Sequence, residues 1–141
     1  MKIAEFTVNG RPVPFKRHSG QGRRARNDAR YTAWRDLIAV RALEAYHGAV
    51  QFGGDILTLQ RFRAEDWNVG DADNYGKGPH DALQKGVLYE DDKQVGLMIV
   101  DVEVDKERPG VDILVCDLTP ELRRDIFDAV HETIKKHMEV E

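Results

Sequence analysis

The spacing of the apolar residues changes several times along the chain, and this change most constrains the fold. Some short stretches are rich in β-branched and aromatic residues and bounded by turn residues, as strands are. Between them, apolar residues recur every three or four positions, which is the period of a helix. The predicted strands are 3–8, 55–63, 93–105 and 111–117, and the predicted helices are 28–46, 74–85 and 119–138.

This β-α-β-α-β-β-α order predicts an α+β fold, a single compact domain (1–141) around a mixed sheet. A chain of 141 residues is long enough to bury one core without disulfides. We place the core at 3–117 and treat 119–139 as a C-terminal helical extension. The apolar stripe of that helix is expected to pack on the core, with a dimer interface as the alternative.

Three details of the predicted elements are less regular. The apolar phase of strand 93–105 slips near Ile99, which predicts a β-bulge there. Segment 111–117 is expected to pair back on that strand as a hairpin. The helix at 74–85 contains two glycines and Pro79, so we expect it to kink or to start late.

The net charge of −4 conceals a strong polarity along the chain. Residues 11–41 contain nine Lys and Arg against two acids, whereas 90–141 contain seven Lys and Arg against fifteen acids. A local basic patch binds phosphates even in an acidic protein. We predict a basic, glycine-containing loop at 15–27 and a DNA-binding set consisting of Lys16, Arg17, Arg23, Arg24, Arg26 and Arg30.

The sequence favours a cytoplasmic protein. Its single cysteine, Cys116, has no partner for an internal disulfide and is expected to be a small buried strand residue. The first residues lack the apolar run of a secretory signal, and no segment has the length of a membrane span. No motif for an organic cofactor is present.

Acidic residues cluster between the second predicted strand and the third. Asp71, Asp73 and Asp81 lie within eleven residues with Lys77 among them. In an extended segment Asp71 and Asp73 would point to the same side. A second pair, Asp91 and Asp92, precedes a strand and is placed to return to the same region. Oxygen ligands of this kind suit Mg²⁺, and a nearby lysine suits phosphate chemistry.

Other interpretations of this stretch remain open or are excluded. A solvated, helix-capping loop is about as plausible as a metal site from these residues alone. A calcium-binding EF-hand is excluded because Ala82 stands where the bidentate Glu is needed. The histidines are scattered and give no zinc spacing.

Three separated pieces of the sequence resemble the RusA-type Holliday-junction resolvases, nucleases that are often carried by phages and prophages. The resemblance spans most of residues 3–116. The pieces are Val8-Asn-Gly-Arg-Pro-Val-Pro-Phe-Lys-Arg17, Asp71-Ala-Asp-Asn-Tyr-Gly-Lys77 with Asp81-Ala-Leu83, and Gly86-Val-Leu-Tyr-Glu-Asp-Asp-Lys-Gln-Val95.

The resemblance implies a metal-dependent endonuclease with defined residue roles. It assigns Mg²⁺ binding (with Mn²⁺ as an alternative) to Asp71, Asp73 and Asp92, and a requirement in cleavage to Lys77. Asp91 ranks below Asp92, because neighbouring residues at a strand entry face opposite sides. Asn74 and Asp81 are expected to support the ligands as bracing or salt-bridging residues.

The expected function is cleavage of four-way DNA junctions by a homodimer, through paired symmetric nicks in recombination and repair. Two identical sites match the approximate two-fold symmetry of such a junction. The alternatives are a metal-dependent nuclease on other branched DNA and a non-catalytic DNA-binding protein of the same fold. Tyr31 and Trp34 are expected in the core, and Phe15 and Tyr75 are candidates for base stacking.

Overall fold

A computed structural model describes residues 1–15, 24–46, 51–66 and 71–139, apart from the side chains of 24–28. The elements follow the predicted order with one short 3₁₀ turn added before the third strand. They are β1 (Ile3–Asn9), α1 (Arg24–Tyr46), β2 (Ile56–Ala64), α2 (Ala72–Leu83), the 3₁₀ turn (Asp92–Gln94), β3 (Val95–Val104), β4 (Gly110–Asp117) and α3 (Pro120–Glu139).

The four strands form one mixed sheet in the order β1-β4-β2-β3. β2 and β3 are parallel, and the other two pairings are antiparallel. The α+β class and the mixed sheet are therefore as predicted. The predicted β3–β4 hairpin is wrong, because β4 pairs with β1 and β2 instead. β4 is covered along most of its length and suits a central position, whereas β3 is half exposed and lies at an edge.

The predicted bulge near Ile99 is also wrong. β3 pairs with β2 without interruption from Leu97 to Val104, and the one register shift lies at the start of the pairing, beside Gly96. The apolar phase changes because the two faces of β3 are covered in different places. Ile99 packs towards α3 on one face, and Val100 packs into the main core on the other.

Helix α1 lies across the sheet with one face buried. It begins at Arg24, four residues before the predicted start, because the Arg-Ala-Arg stretch favours helix over loop. Tyr31, Trp34, Ile38 and Ala42 are buried at helical spacing, so the predicted core positions of Tyr31 and Trp34 are confirmed.

Helix α2 begins at Ala72 and is continuous through its glycines and Pro79, so the predicted late start does not occur. Gly76 explains part of this. A Cβ at Gly76 would stand 2.9 Å from the Cγ2 atom of Val100, so α2 lies closer to β3 than any side chain at this position would permit. Tyr75 is buried and packs on Phe62, with ring centroids 5.2 Å apart, which excludes it as a base-stacking residue in this arrangement.

Helix α3 covers part of the opposite face of the sheet. The Oγ1 of Thr119 accepts a hydrogen bond from the Leu122 backbone N–H (3.1 Å) and so caps the helix. Leu122 and Ile126 pack beside Cys116, which is buried as expected. Every residue from 127 to 139 is exposed, so the expectation that the whole apolar stripe joins the core is wrong beyond Ile126.

No helix in the part of the chain that the structure describes is long and apolar enough to cross a membrane.

Candidate functional site

Helix α2 presents the first acidic cluster. Asp71 is its N-cap, and the Asp71 carboxylate accepts a hydrogen bond from the Asn74 backbone N–H at 3.1 Å. Asp73 lies in the first turn and is exposed. Asp71 and Asp73 therefore flank the positive end of the helix dipole. The extended alternation expected for this pair does not apply, because only Asp71 is extended and Asp73 is already helical.

Three charged residues follow one another along a single face of α2. Asp73, Lys77 and Asp81 are spaced four residues apart, which places successive side chains one turn above the other. The Lys77 ammonium lies 3.6 Å from the Asp81 carboxylate, and the Lys77 side chain is 45 % exposed. The lysine is thus flanked by carboxylates along the helix while its ammonium stays open to an incoming anion.

Aromatic contacts fix the direction of that lysine. The Lys77 ammonium lies 5.0 Å from the centre of the Phe15 ring, a cation–π contact. The Phe15 ring meets Tyr31 edge-on at 5.3 Å, and the Phe15 backbone N–H donates to the Asn74 carbonyl at 2.9 Å. Phe15 therefore helps to hold the lysine, and the base stacking predicted for Phe15 stays a prediction.

Asp81 contacts both Lys77 and Tyr31 and so completes the set of residues around the lysine. The Tyr31 hydroxyl donates to the Asp81 carboxylate at 2.5 Å, while the other oxygen of that carboxylate faces Lys77. Burial raises the pKa of Tyr31, and its bond to the negative Asp81 raises it further, so the phenol keeps its proton. Asp81 thereby has the salt-bridging arrangement expected of it, held from one side by a fixed donor.

The second acidic pair lies at the start of the 3₁₀ turn and not at a strand entry as predicted. Asp91 caps this turn, and its carboxylate accepts from the Lys93 backbone N–H at 2.9 Å. That bond lowers the pKa of Asp91, and a hydrogen bond with the Asp92 side chain adds to the effect. Asp92 is the first residue of the turn and is exposed. The carboxylate of Asp91 is occupied in capping.

Gln94 holds this turn in place, although no role was predicted for it from the sequence. Its side-chain nitrogen donates to the carbonyls of Phe52 (2.8 Å) and Gly54 (2.9 Å). Its side-chain oxygen accepts from the backbone N–H groups of Glu90 (2.9 Å) and Asp91 (3.0 Å). A single amide therefore ties the segment that carries Asp92 to the segment before β2. The only signal in the sequence was the position of Gln94 inside the third resemblance piece.

Carboxylates from both acidic segments act electrostatically on His80 and Tyr89. Burial lowers the pKa of His80, and the negative charges of Asp81 and Asp92 oppose that shift. Burial raises the pKa of Tyr89, and the same two carboxylates raise it further. Asp92 is thus close enough to the C-terminal half of α2 to affect the residues there. The Tyr89 hydroxyl donates to the His80 carbonyl at 3.3 Å, which joins the two segments.

The fit of these acids to a metal ion is partial. Within the described ranges, no three His, Cys, Asp or Glu side chains are grouped so that they enclose a metal. The donor chemistry is nevertheless suitable, since the exposed carboxylates are hard oxygen ligands. Mg²⁺ commonly takes one or two carboxylates and completes its shell with water and substrate phosphate.

The sequence of the chain matches the model of a known protein family. The model for the endodeoxyribonuclease RusA matches residues 6–116, which is most of the chain and runs from within β1 to the last but one residue of β4, so that α3 is excluded. The chain belongs to the RusA endodeoxyribonuclease family. No curated protein matches the chain. The matched range includes both acidic segments, Lys77 and Gln94 of this RusA-family chain, and α3 lies outside it.

The predicted DNA-binding residues of this RusA-family chain are only partly described. Lys16, Arg17 and Arg23 lie outside the described residues. Arg24 and Arg26 lie in the first turns of α1 and not in a loop, and Arg30 follows them as an exposed residue of the same helix.

Proposed function

We propose that the chain is a metal-dependent, structure-selective endodeoxyribonuclease that resolves four-way DNA junctions by paired symmetric nicks. The observation that carries the proposal is the half-exposed side chain of Lys77, whose ammonium lies beside Asp81 and Phe15 on the face of α2 that also carries Asp73. A fixed cation next to exposed carboxylates is suited to a phosphodiester, whereas a purely structural helix face has no need for it.

In this proposal Asp71, Asp73 and Asp92 hold Mg²⁺ or Mn²⁺. When bound, the metal supplies a more acidic water and neutralises charge on the phosphate. Their location supports this assignment, because all three are exposed and two of them adjoin the N-terminus of α2. Asp91 serves instead to keep the Asp92 turn in shape through its capping bonds.

Lys77 binds a non-bridging oxygen of the scissile phosphate in the proposed reaction. Its ammonium exchanges part of its contact with Asp81 for the phosphate, and Asp81 keeps a hydrogen bond from Tyr31 throughout. Because Asp81 stays partnered, releasing the lysine leaves no unpaired buried charge. The Phe15 ring limits the directions in which the lysine can turn.

The arginines at the start of α1 and the basic segment before it are proposed to bind the phosphates that flank the cut. Such binding releases counterions and weakens steeply with salt. Two copies, each cutting one strand, account for paired nicks in a two-fold symmetric junction. We place this activity in the cytoplasm, on branched DNA from recombination and repair.

A synthetic four-way junction tests the proposal, with a linear duplex of the same sequence as control. We expect paired nicks on opposite strands that require Mg²⁺ and disappear in EDTA and in Asp73→Asn. Lys77→Ala is expected to bind the junction normally and to cut it at least about a hundredfold more slowly. Equal cleavage of junction and duplex contradicts the structural selectivity, and full activity of Asp73→Asn contradicts the metal assignment.

A further inference from the structure

A cleft of about 440 Å³ opens between α1 and the end of α2. Arg35, Asp36 and Ala39 line it on the α1 side, and Asp81 and Lys85 are among the residues that line it on the other side. Asp81 is also the carboxylate that faces the lysine of the candidate site, so the cleft begins where that site ends. A ligand bound at the candidate site can therefore extend into the cleft.

The acids of the cleft are already paired, whereas its cations keep open donor groups. Asp81 accepts a hydrogen bond from the Tyr31 hydroxyl. Asp36 lies 3.6 Å from the Nε of Arg35, a long contact between partly exposed side chains that opens at little cost. Lys85 is exposed, and its ammonium has no ionic or hydrogen-bonding partner among the residues that the structure describes. The cleft therefore offers a guanidinium and an ammonium to an anion.

Lys85 has an unusual backbone conformation. Its φ is 57°, in the left-handed region, and within the described ranges it is the one non-glycine residue with a positive φ. The conformation belongs to the turn after α2, in which the Lys85 backbone N–H donates to the Glu90 carbonyl at 2.9 Å. Glycine adopts such a conformation without steric cost. A lysine in this position therefore points to a use for its side chain.

Arg35 lies one turn beyond Tyr31 on the same side of α1. Burial and then the hydrogen bond to Asp81 raise the pKa of Tyr31, and the positive charge of Arg35 opposes them. Arg35 is therefore close enough to Tyr31 to act on it electrostatically. Its planar guanidinium suits the paired oxygens of a phosphate. Arg35 and Lys77 thus place two cations around one carboxylate, an arrangement that suits successive phosphates of one strand.

We propose that Arg35 and Lys85 form a second phosphate-binding site, which holds the DNA strand beyond the phosphate that Lys77 contacts. Along α1, Tyr31 separates Arg35 from the arginines at the start of the helix. The two sets of cations accordingly bind the strand on either side of the cut. The inference rests on the proposed function in one respect, since its ligand is the strand that the chain is proposed to cut.

The salt dependence of junction binding tests this site on uncut DNA in EDTA. Fluorescence anisotropy of a labelled four-way junction gives the Kd between about 50 and 200 mM KCl. Each phosphate contact adds about one to the slope of log Kd against log salt concentration, so Arg35→Gln and Lys85→Gln are each expected to lower the slope by about one. Slopes equal to that of the wild type overturn the proposal.

Arg41→Gln is the matched control. Arg41 lies on the same helix and its side chain is 46 % exposed, against 37 % for Arg35. It contacts Glu44 at 2.9 Å and does not line the cleft, so its removal should leave the slope unchanged. An equal fall in slope with Arg41→Gln would show that α1 acts through its overall charge, and would overturn the assignment to the cleft.

Lys85→Gly separates phosphate binding from folding. Glycine suits the left-handed backbone, so urea unfolding of this variant should match that of the wild type while the slope still falls by about one. A slope that Lys85→Gly leaves unchanged contradicts the role of the ammonium. Because the DNA stays uncut, these measurements decide the role of the cleft whether or not the chain cuts junctions.

A scan of the DNA backbone locates the phosphate. Single phosphates on each side of the cut are replaced in turn by neutral methylphosphonates, and the Kd of each junction is measured. We expect one position beside the cut to weaken binding of the wild type about tenfold and to have no effect on the double variant Arg35→Gln/Lys85→Gln. If every position affects the wild type and the double variant equally, the two residues contact no phosphate and the proposal is overturned.

Discussion

Replacing Gln94 by Ala should detach Asp92 from its support without unfolding the chain. The substitution removes four hydrogen bonds of 2.8–3.0 Å, two to the carbonyls before β2 and two from the backbone of the acidic segment. At about 1 kcal/mol net for each bond the upper limit is about 4 kcal/mol. Gln94 is partly exposed, so water replaces some of these bonds, and we expect about 2 kcal/mol. Domains of this size are stable by about 5–15 kcal/mol, so the variant should still fold.

The functional expectation is a higher Mg²⁺ requirement. With its turn released, Asp92 samples more positions, and we expect the Mg²⁺ concentration for half-maximal junction cleavage to rise about tenfold. Urea unfolding measures the stability loss, and cleavage rates across a Mg²⁺ titration measure the second effect. Gln94→Glu is informative beside it, because it keeps the two acceptor bonds but places a carboxylate against the carbonyls of Phe52 and Gly54.

Gln51 provides a matched control. Its side-chain amide also fastens a loop, donating to the carbonyls of Gly86 and Val87 at 3.0 Å each, but neither of those residues belongs to the turn that carries Asp92. Gln51→Ala should therefore lower stability while leaving the Mg²⁺ dependence unchanged. If Gln94→Ala loses stability and its Mg²⁺ titration still overlays the wild type, Gln94 does not position Asp92 and the reasoning is refuted.

Three further changes have expected outcomes. Asp81→Asn removes the ion pair with Lys77 and should slow single-turnover cleavage about tenfold with unchanged junction affinity; equal loss of affinity would contradict a positioning role. Gly76→Ala forces a 2.9 Å contact and should cost about 1–3 kcal/mol in urea unfolding, whereas Gly54→Ala meets nothing within 4 Å and should cost less. Burial lowers the pKa of His80 in the folded chain. As the pH falls, the unfolded chain therefore binds a proton at His80 before the folded chain does. Stability should fall as pH drops below the ordinary value of 6.5, with a shallower slope in His80→Gln.

The order of elements could be predicted from the sequence because each element has its own apolar period. The strand pairing could not be predicted in the same way, because it depends on which strand lies between two others in the sheet. Val111, Ile113 and Val115 alternate in the same way whether β4 forms a hairpin or lies between two strands. Likewise, the phase change in β3 is the same whether it results from a bulge or from cover on different faces at its two ends.

The residues of the site could be proposed from the sequence, but the residues that hold them in position could not. Asp71, Asp73 and Lys77 lie close together in the chain, so their proximity is local and follows from helix geometry. Gln94 and Phe15 act through contacts with segments far from them in sequence, such as the carbonyl of Phe52 and the ammonium of Lys77. No local pattern marks such a contact, since a glutamine before a strand is ordinarily a surface residue.

The residues that make α2 a poor helix by propensity also explain how it presents its charges. Gly76 and Pro79 each disfavour a helix interior, and in isolation this segment would not hold its shape. Gly76 lets the helix backbone approach β3, and Pro79 is buried between the helix and the body. Packing thus holds the inner face of α2 rigidly, and Asp73 and Lys77 stand on the outer face of that fixed backbone. A regular, self-stable helix at this position would lie farther from β3 and carry the lysine away from Phe15. The low helix propensity of α2 therefore accompanies the close packing on β3 that keeps Lys77 beside Phe15.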